Sequence, residues 1–131
     1  MKRIAITLAA LAGAALVTGP SVARERPTGD QELAKLLKGR VAGEPQNCLN
    51  TRIHSDSRII DGTALVYGRG RTIWVNVPAN ADDLDDGDAL LVRQYGANLC
   101  RQDIVTTFDN MGGFYTGNVF LGDFVPYTRV D

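Results

Sequence analysis

The side chains able to do chemistry in this 131-residue chain are few: two cysteines, one histidine and a tight group of aspartates. Cys48 and Cys100 are the only thiols. They lack the C-x-x-C and C-x-x-C-H spacings of metal and redox sites, and there is no second histidine to complete a zinc set. Two cysteines in an exported protein make one bridge, and here only one pairing exists within the chain. The closed ring would hold about fifty residues, for which loop-closure entropy gives about 4 kcal/mol.

The aspartates sit in "ADDLDDGDALLV", residues 81–92. Asp82, Asp83, Asp85, Asp86 and Asp88 offer hard oxygens of the kind calcium takes. An EF-hand loop needs ligands at positions 1, 3 and 5, glycine at 6 and glutamate at 12. With Gly87 at position 6, position 3 is Leu84 and position 12 is Arg93, and neither can do its job. The expectation is therefore no dedicated metal site. It is a solvated turn at Asp86-Gly87-Asp88, whose charges guard the following "ALLV" strand against edge pairing. Weak calcium binding stays open.

His54 lies in "IHSDS" beside Ser55, Asp56 and Ser57. Neighbours in an extended chain point to opposite faces, so these residues form no triad. With both thiols bridged, a catalytic reading falls back on carboxylates: Asp61, Asp103 and the aspartate loop. No cofactor motif is present. The stretch that looks built for binding is Gly-Arg-Gly-Arg at 68–71, with Trp74 three residues on. Arg69, Arg71 and Trp74 together could stack on a partner or grip an anion. In "TIWVNV", Ile73, Val75 and Val77 share one face, and Trp74 and Asn76 share the other. If the first set faces the core, Trp74 is outside. If both faces are covered, it is not.

The elements that must hold these residues begin with an address label. Lys2 and Arg3 precede an apolar run from Ile4 to Val17, broken by Gly19 and Pro20. Ser21-Val22-Ala23 supplies the small residues of a cleavage site. Fourteen apolar residues are too few to span a bilayer, which takes about 20. Residues 1–23 thus read as a secretory signal, 24–29 as a flexible lead-in, and 30–131 as one domain with no stable membrane anchor after cleavage. Loss of Lys2 and Arg3 takes the net charge from −1 to −3. A mildly acidic domain has no nucleic-acid footprint.

"TGDQELAKLLKG" reads as a short amphipathic helix. Thr28 or Asp30 caps it, Leu33, Leu36 and Leu37 form its apolar face, and Gly39 ends it. After Gly43 the period falls from 3.6 to 2. "CLNTRI", "RIIDGTALVY", "RTIWVNV", "ALLVRQY", "LCRQDIVTTF" and "FYTGNVFL" are short runs rich in Val, Ile, Thr and aromatics. Turn signals stand at Asp61-Gly62, Gly68–Arg71, Pro78, Gly96–Asn98 and Gly112-Gly113. Phe114, Phe120, Phe124 and Tyr127 are expected to be packing residues. Pro126 suggests a final edge strand or an extended terminus. The fold class is all-β, a small antiparallel barrel or two-layer sandwich of about six or seven strands with one N-terminal helix.

Cys48, Ile53, Asp61, Thr63, Trp74, Asn76, Cys100 and Asp103 form a pattern. It runs from a first cysteine and an isoleucine a few residues on, through a "V-D-D/G-x-T-hydrophobic" strand and an "aromatic-hydrophobic-N" strand, to a late "C-x-x-D". Over about residues 46–110 this resembles an uncharacterised family of small secreted proteobacterial proteins, a domain of unknown function. Relatives carry a further cysteine after the Asn strand, where this chain has its aspartate loop. The resemblance implies a secreted β-rich domain and brings no activity with it.

The function expected is that of a non-enzymatic periplasmic or secreted β-domain binding an envelope partner or a small ligand. Its rivals are a small carboxylate-based enzyme and a periplasmic hydrolase inhibitor that offers the Gly-Arg-Gly-Arg tip. Intact-mass analysis of the protein recovered from the cell envelope is expected to give a chain beginning at Arg24. A full-length chain found in the cytoplasm would contradict export.

Overall fold

A computed structural model describes residues 13–16 and 18–131. Lys2, Arg3 and most of the apolar run read as a signal lie outside the described residues. The helix α1 spans Gly29–Leu37. Thr28 caps it in a reciprocal box: its hydroxyl accepts from the Gln31 amide, and the Gln31 side chain accepts from the Thr28 amide. Asp30 thus sits inside the first turn, where its charge suits the helix dipole.

Ten strands follow: β1 (Arg40–Ala42), β2 (Cys48–Asn50), β3 (Ser57–Ile60), β4 (Ala64–Tyr67), β5 (Thr72–Asn76), β6 (Asp88–Val92), β7 (Asn98–Cys100), β8 (Ile104–Asp109), β9 (Tyr115–Phe120) and β10 (Phe124–Arg129). They form a five-stranded sheet β1-β10-β5-β4-β3, a two-stranded sheet β2-β7 and a three-stranded sheet β6-β8-β9, all antiparallel. The sheets do not close into a barrel, and the two-layer sandwich is the architecture formed. The count exceeds the six or seven expected because "LCRQDIVTTF" divides into β7 and β8, and β1 pairs with the distant β10.

Strand β4 is buried at every position. Leu65 and Tyr67 point into the main core with Leu49, Leu84, Leu99, Val105, Val119, Leu121 and Phe124. Ala64 and Val66 point the other way, with Ile60, Ile73 and Val75, and are covered by Leu33, Leu36 and Leu37 of α1. One sheet therefore separates two cores, helix on one side and the smaller sheets on the other.

Pro126 is not on an edge strand. β10 lies between β1 and β5. Phe124 exchanges backbone hydrogen bonds with Gln46, and Pro126 accepts from the Gly43 amide. By alternation the nitrogen of Pro126 faces the same way as that of Phe124, away from β5. The missing N–H thus costs no bond in the β10–β5 ladder.

The helix docks through Gly29. A Cβ built there would stand 2.0 Å from the Asp61 carbonyl oxygen and 2.2 Å from Thr63 Oγ1. Helix propensity alone says that alanine should stabilise this position. The packing says the reverse: Gly29→Ala is expected to lower stability by about 1–3 kcal/mol, the usual cost of overpacking. Chemical denaturation gives the sign directly.

Candidate functional site

The two cysteines are joined. Cys48 and Cys100 face each other directly in the β2–β7 register and form a disulfide. Arg101 donates to the Asn47 carbonyl, so the neighbouring Cys48–Cys100 pair is a non-hydrogen-bonded one, where opposed side chains come closest. Just beyond it the chain reverses over Cys100–Asp103, with Gln102 at φ 71°. The Asp103 carboxylate accepts the Cys100 amide at 2.7 Å, and the Asp103 amide donates to the Cys100 carbonyl. Asp103 is a turn-closing residue in this arrangement.

The Gly-Arg-Gly-Arg tip is strapped down. Gly68 and Gly70 take positive φ. The Arg40 guanidinium donates to the carbonyls of Gly70 at 2.8 Å and Arg71 at 2.7 Å. Arg69 forms a two-pronged ion pair with Asp56, and Arg71 one with Asp131. The hydrogen bond from Arg69 holds the Asp56 carboxyl below its ordinary range. Both arginines remain largely exposed.

Trp74 lies at the base of this tip, its Cδ1 4.0 Å from where a Cβ on Gly68 would stand, and turns inward. Both faces of β5 are covered: Ile73 and Val75 lie under α1, and Trp74 packs against the main core. It pairs across the sheet with Tyr67 on one side and Pro126 on the other. His54 lies beside it, ring centroids 5.7 Å apart. Asn76, on the same face and fully buried, exchanges two hydrogen bonds with the backbone of Gly122. Among the described residues Tyr67 Oη, Trp74 Nε1 and Gln94 Nε2 are buried without a hydrogen-bond partner.

The aspartate loop starts as a single 3₁₀ turn, Ala81–Asp83. Asp85 accepts the Gly87 amide, and Asn80 donates to Asp83. Asp82 is exposed, and Asp88 opens β6, an edge strand. Asp61, from the β3–β4 turn, joins Asp85 and Asp86, with carboxylate oxygens within 4.8 Å of one another. All three are exposed, and one is already engaged by the Gly87 amide. The sequence did not reveal that Asp61 approaches this loop.

The surface that the sequence reading missed is the outer face of the β6-β8-β9 sheet. Val105, Thr107 and Val119 alternate inward. Ala89, Leu91, Ile104, Thr106, Phe108, Tyr115, Asn118 and Phe120 alternate outward in matched register. Leu91 is 45% exposed, Ile104 55%, Tyr115 58% and Phe120 46%. Phe108 and Tyr115 meet edge to face at 6.3 Å. None of these strand residues is charged, and Arg93 stands just past the end of β6. Phe114, beside it in the preceding loop, is also exposed. The expectation that Phe114 and Phe120 are packing residues is corrected here. Phe124 and Tyr127 do pack, one in each core.

One open surface groove of about 540 Å³ runs along α1, its lining including Glu32, Lys35, Lys38 and Arg129. No family model, no curated protein and no solved structure matches the chain.

Burial pushes the Tyr67 hydroxyl up to about 12. In the unfolded chain it titrates near 10. Ionisation of this hydroxyl therefore costs no stability below about pH 10 and an increasing amount as pH rises towards 12. Tyr67→Phe is expected to remove that alkaline loss. It should also raise stability at pH 7 by about 1 kcal/mol, because a buried, unpaired hydroxyl is deleted. Urea titrations across pH 7–12 check both.

Proposed function

We propose that this protein is a non-enzymatic binding domain of an oxidising, extracytoplasmic compartment, periplasmic or secreted, whose contact surface is the outer face of the β6-β8-β9 sheet. The observation that carries the reading is that uncharged face of Leu91, Ile104, Phe108, Tyr115 and Phe120. Contiguous apolar surface is costly to leave in water, and where it persists it marks an interaction site. A flat, aromatic-bearing face suits a protein partner better than a small ligand, which takes a concave site. The disulfide fits an oxidising compartment.

The carboxylate-enzyme alternative has less behind it. Asp61, Asp85 and Asp86 converge in the open, without the dry, pre-arranged surroundings that acid–base chemistry uses. The inhibitor alternative would need a freely presented tip, and Arg40 holds Gly70 and Arg71 against the sheet. We also propose kinship with the small secreted proteobacterial proteins that the sequence resembles. Of the residues carrying that resemblance, all but the exposed Ile53 build the bridge, its turn, the β3–β4 turn or the core around Trp74 and Asn76.

A photo-crosslinking residue placed at Ile104 or Phe120 is expected to trap one discrete envelope partner, and the same residue at Lys35 on α1 none. Phe120→Lys should weaken capture at least about tenfold while changing stability by less than about 0.5 kcal/mol, as exposed substitutions do. Capture that survives Phe120→Lys but is lost on Arg71→Ala would contradict this face.

A further inference from the structure

We propose a second site, independent of the apolar face: a groove between the edges of β3 and β6 that accepts an extended, basic peptide as an added strand. β3 ends the five-stranded sheet and β6 ends the three-stranded one. The two edges flank a groove of about 370 Å³ lined by Ser57, Arg58, Ile59, Asp86, Asp88 and Leu90, among others. One end is pinned by the Gly62 amide donating to the Leu84 carbonyl at 2.9 Å.

Backbone direction follows from the register. Gly68 donates to the Asp56 carbonyl, so Asp56, Arg58 and Ile60 turn their backbone groups towards β4. Ser57 and Ile59 therefore turn theirs into the groove. Asn110 donates to the Gly87 carbonyl, so Ala89 and Leu91 face β8, and Leu90 faces the groove. Among the described residues the amides of Ser57, Ile59 and Leu90 have no hydrogen-bond partner. Unpaired edges of this kind are templates for strand addition, in which main-chain bonds supply affinity and alternate side chains supply selectivity.

The occupant's chemistry follows from the walls and floor. Ile59 and Leu90 pack onto the main core and give an apolar floor. Asp86 and Asp88 line the groove, Asp88 with one oxygen already accepting from the Thr116 hydroxyl, and Asp61 and Asp85 stand beside Asp86; Arg58 is the one cation lining the groove. A peptide that alternates apolar and basic residues puts the first on the floor and the second against the aspartates. A second copy of this acidic chain would bring like charge to the groove, so the same aspartates that favour a basic strand disfavour self-pairing.

The test uses the exported, disulfide-bonded protein and two capped pentapeptides, KVKVK and EVEVE, followed by amide NMR. KVKVK is expected to bind with a Kd below about 1 mM and to slow hydrogen exchange at the Ser57, Ile59 and Leu90 amides at least about tenfold. EVEVE should leave all three unchanged. Ser57→Pro deletes only a groove-facing N–H on an exposed residue and should weaken KVKVK about fivefold, the worth of one backbone hydrogen bond. Asp86→Asn/Asp88→Asn should weaken it without unfolding the chain. No saturable KVKVK binding, binding without slowed exchange at these amides, or equal binding of EVEVE would each overturn the proposal.

Discussion

A strand with no solvent face sets the terms for everything around it. Ala64–Tyr67 in β4 is buried on both sides, so the sheet that contains it needs a cover on each. On one side α1 supplies the cover with a single turn-and-a-half of leucines. That helix is only nine residues long and would not persist alone in water. Its capping box and the seat of Gly29 on the Asp61–Thr63 turn fix where the leucines land. On the other side the cover is two small sheets, the two-stranded one too narrow to be stable by itself. They are held through Leu49, Leu99, Val105 and Val119 and by the cross-strand disulfide.

Polar groups finish what apolar packing starts. Asn76 gives its whole side-chain amide to Gly122, so the turn before β10 is anchored in the core. Gly122 has no room for a Cβ, which would stand 2.6 Å from the Val77 carbonyl oxygen. Asp103 closes the turn beyond the disulfide. These are small interactions, each worth about 1 kcal/mol, yet each decides a chain reversal that the hydrophobic effect leaves free.

The helix and most strand positions were legible in the sequence because their periods and caps are local signals. The candidate caps Thr28 and Asp30, the leucine spacing, and the alternation in "RTIWVNV" are each signals confined to a few residues. Layer assignment was not legible. Alternation says that Ile73 and Trp74 face opposite ways, but not which core each enters, and here both have one. The β1–β10 pairing and the outward side of β6, β8 and β9 rest on contacts between residues far apart in the chain. That is why Phe120 could pass for a packing residue while Phe124, four positions later, is one. Among candidate site residues, the Cys48–Cys100 bridge was readable from counting. The pairing of Arg69 with Asp56 and of Arg71 with Asp131, and the approach of Asp61 to the aspartate loop, were not.

Apart from Tyr95 and Phe114, which are exposed in loops, the Phe, Tyr and Trp residues divide into those that close the two cores and those on one sheet face. Hydroxyl-radical footprinting of the exported protein, alone and in native envelope extract, tests that division most directly. Tyr115 and Phe120 are predicted to be oxidised readily in the isolated protein and protected in the extract, while Tyr67 and Phe124 stay unmodified in both. Tyr115 and Phe120 modified to the same extent in both samples, or already protected in the isolated monomer, would contradict the account.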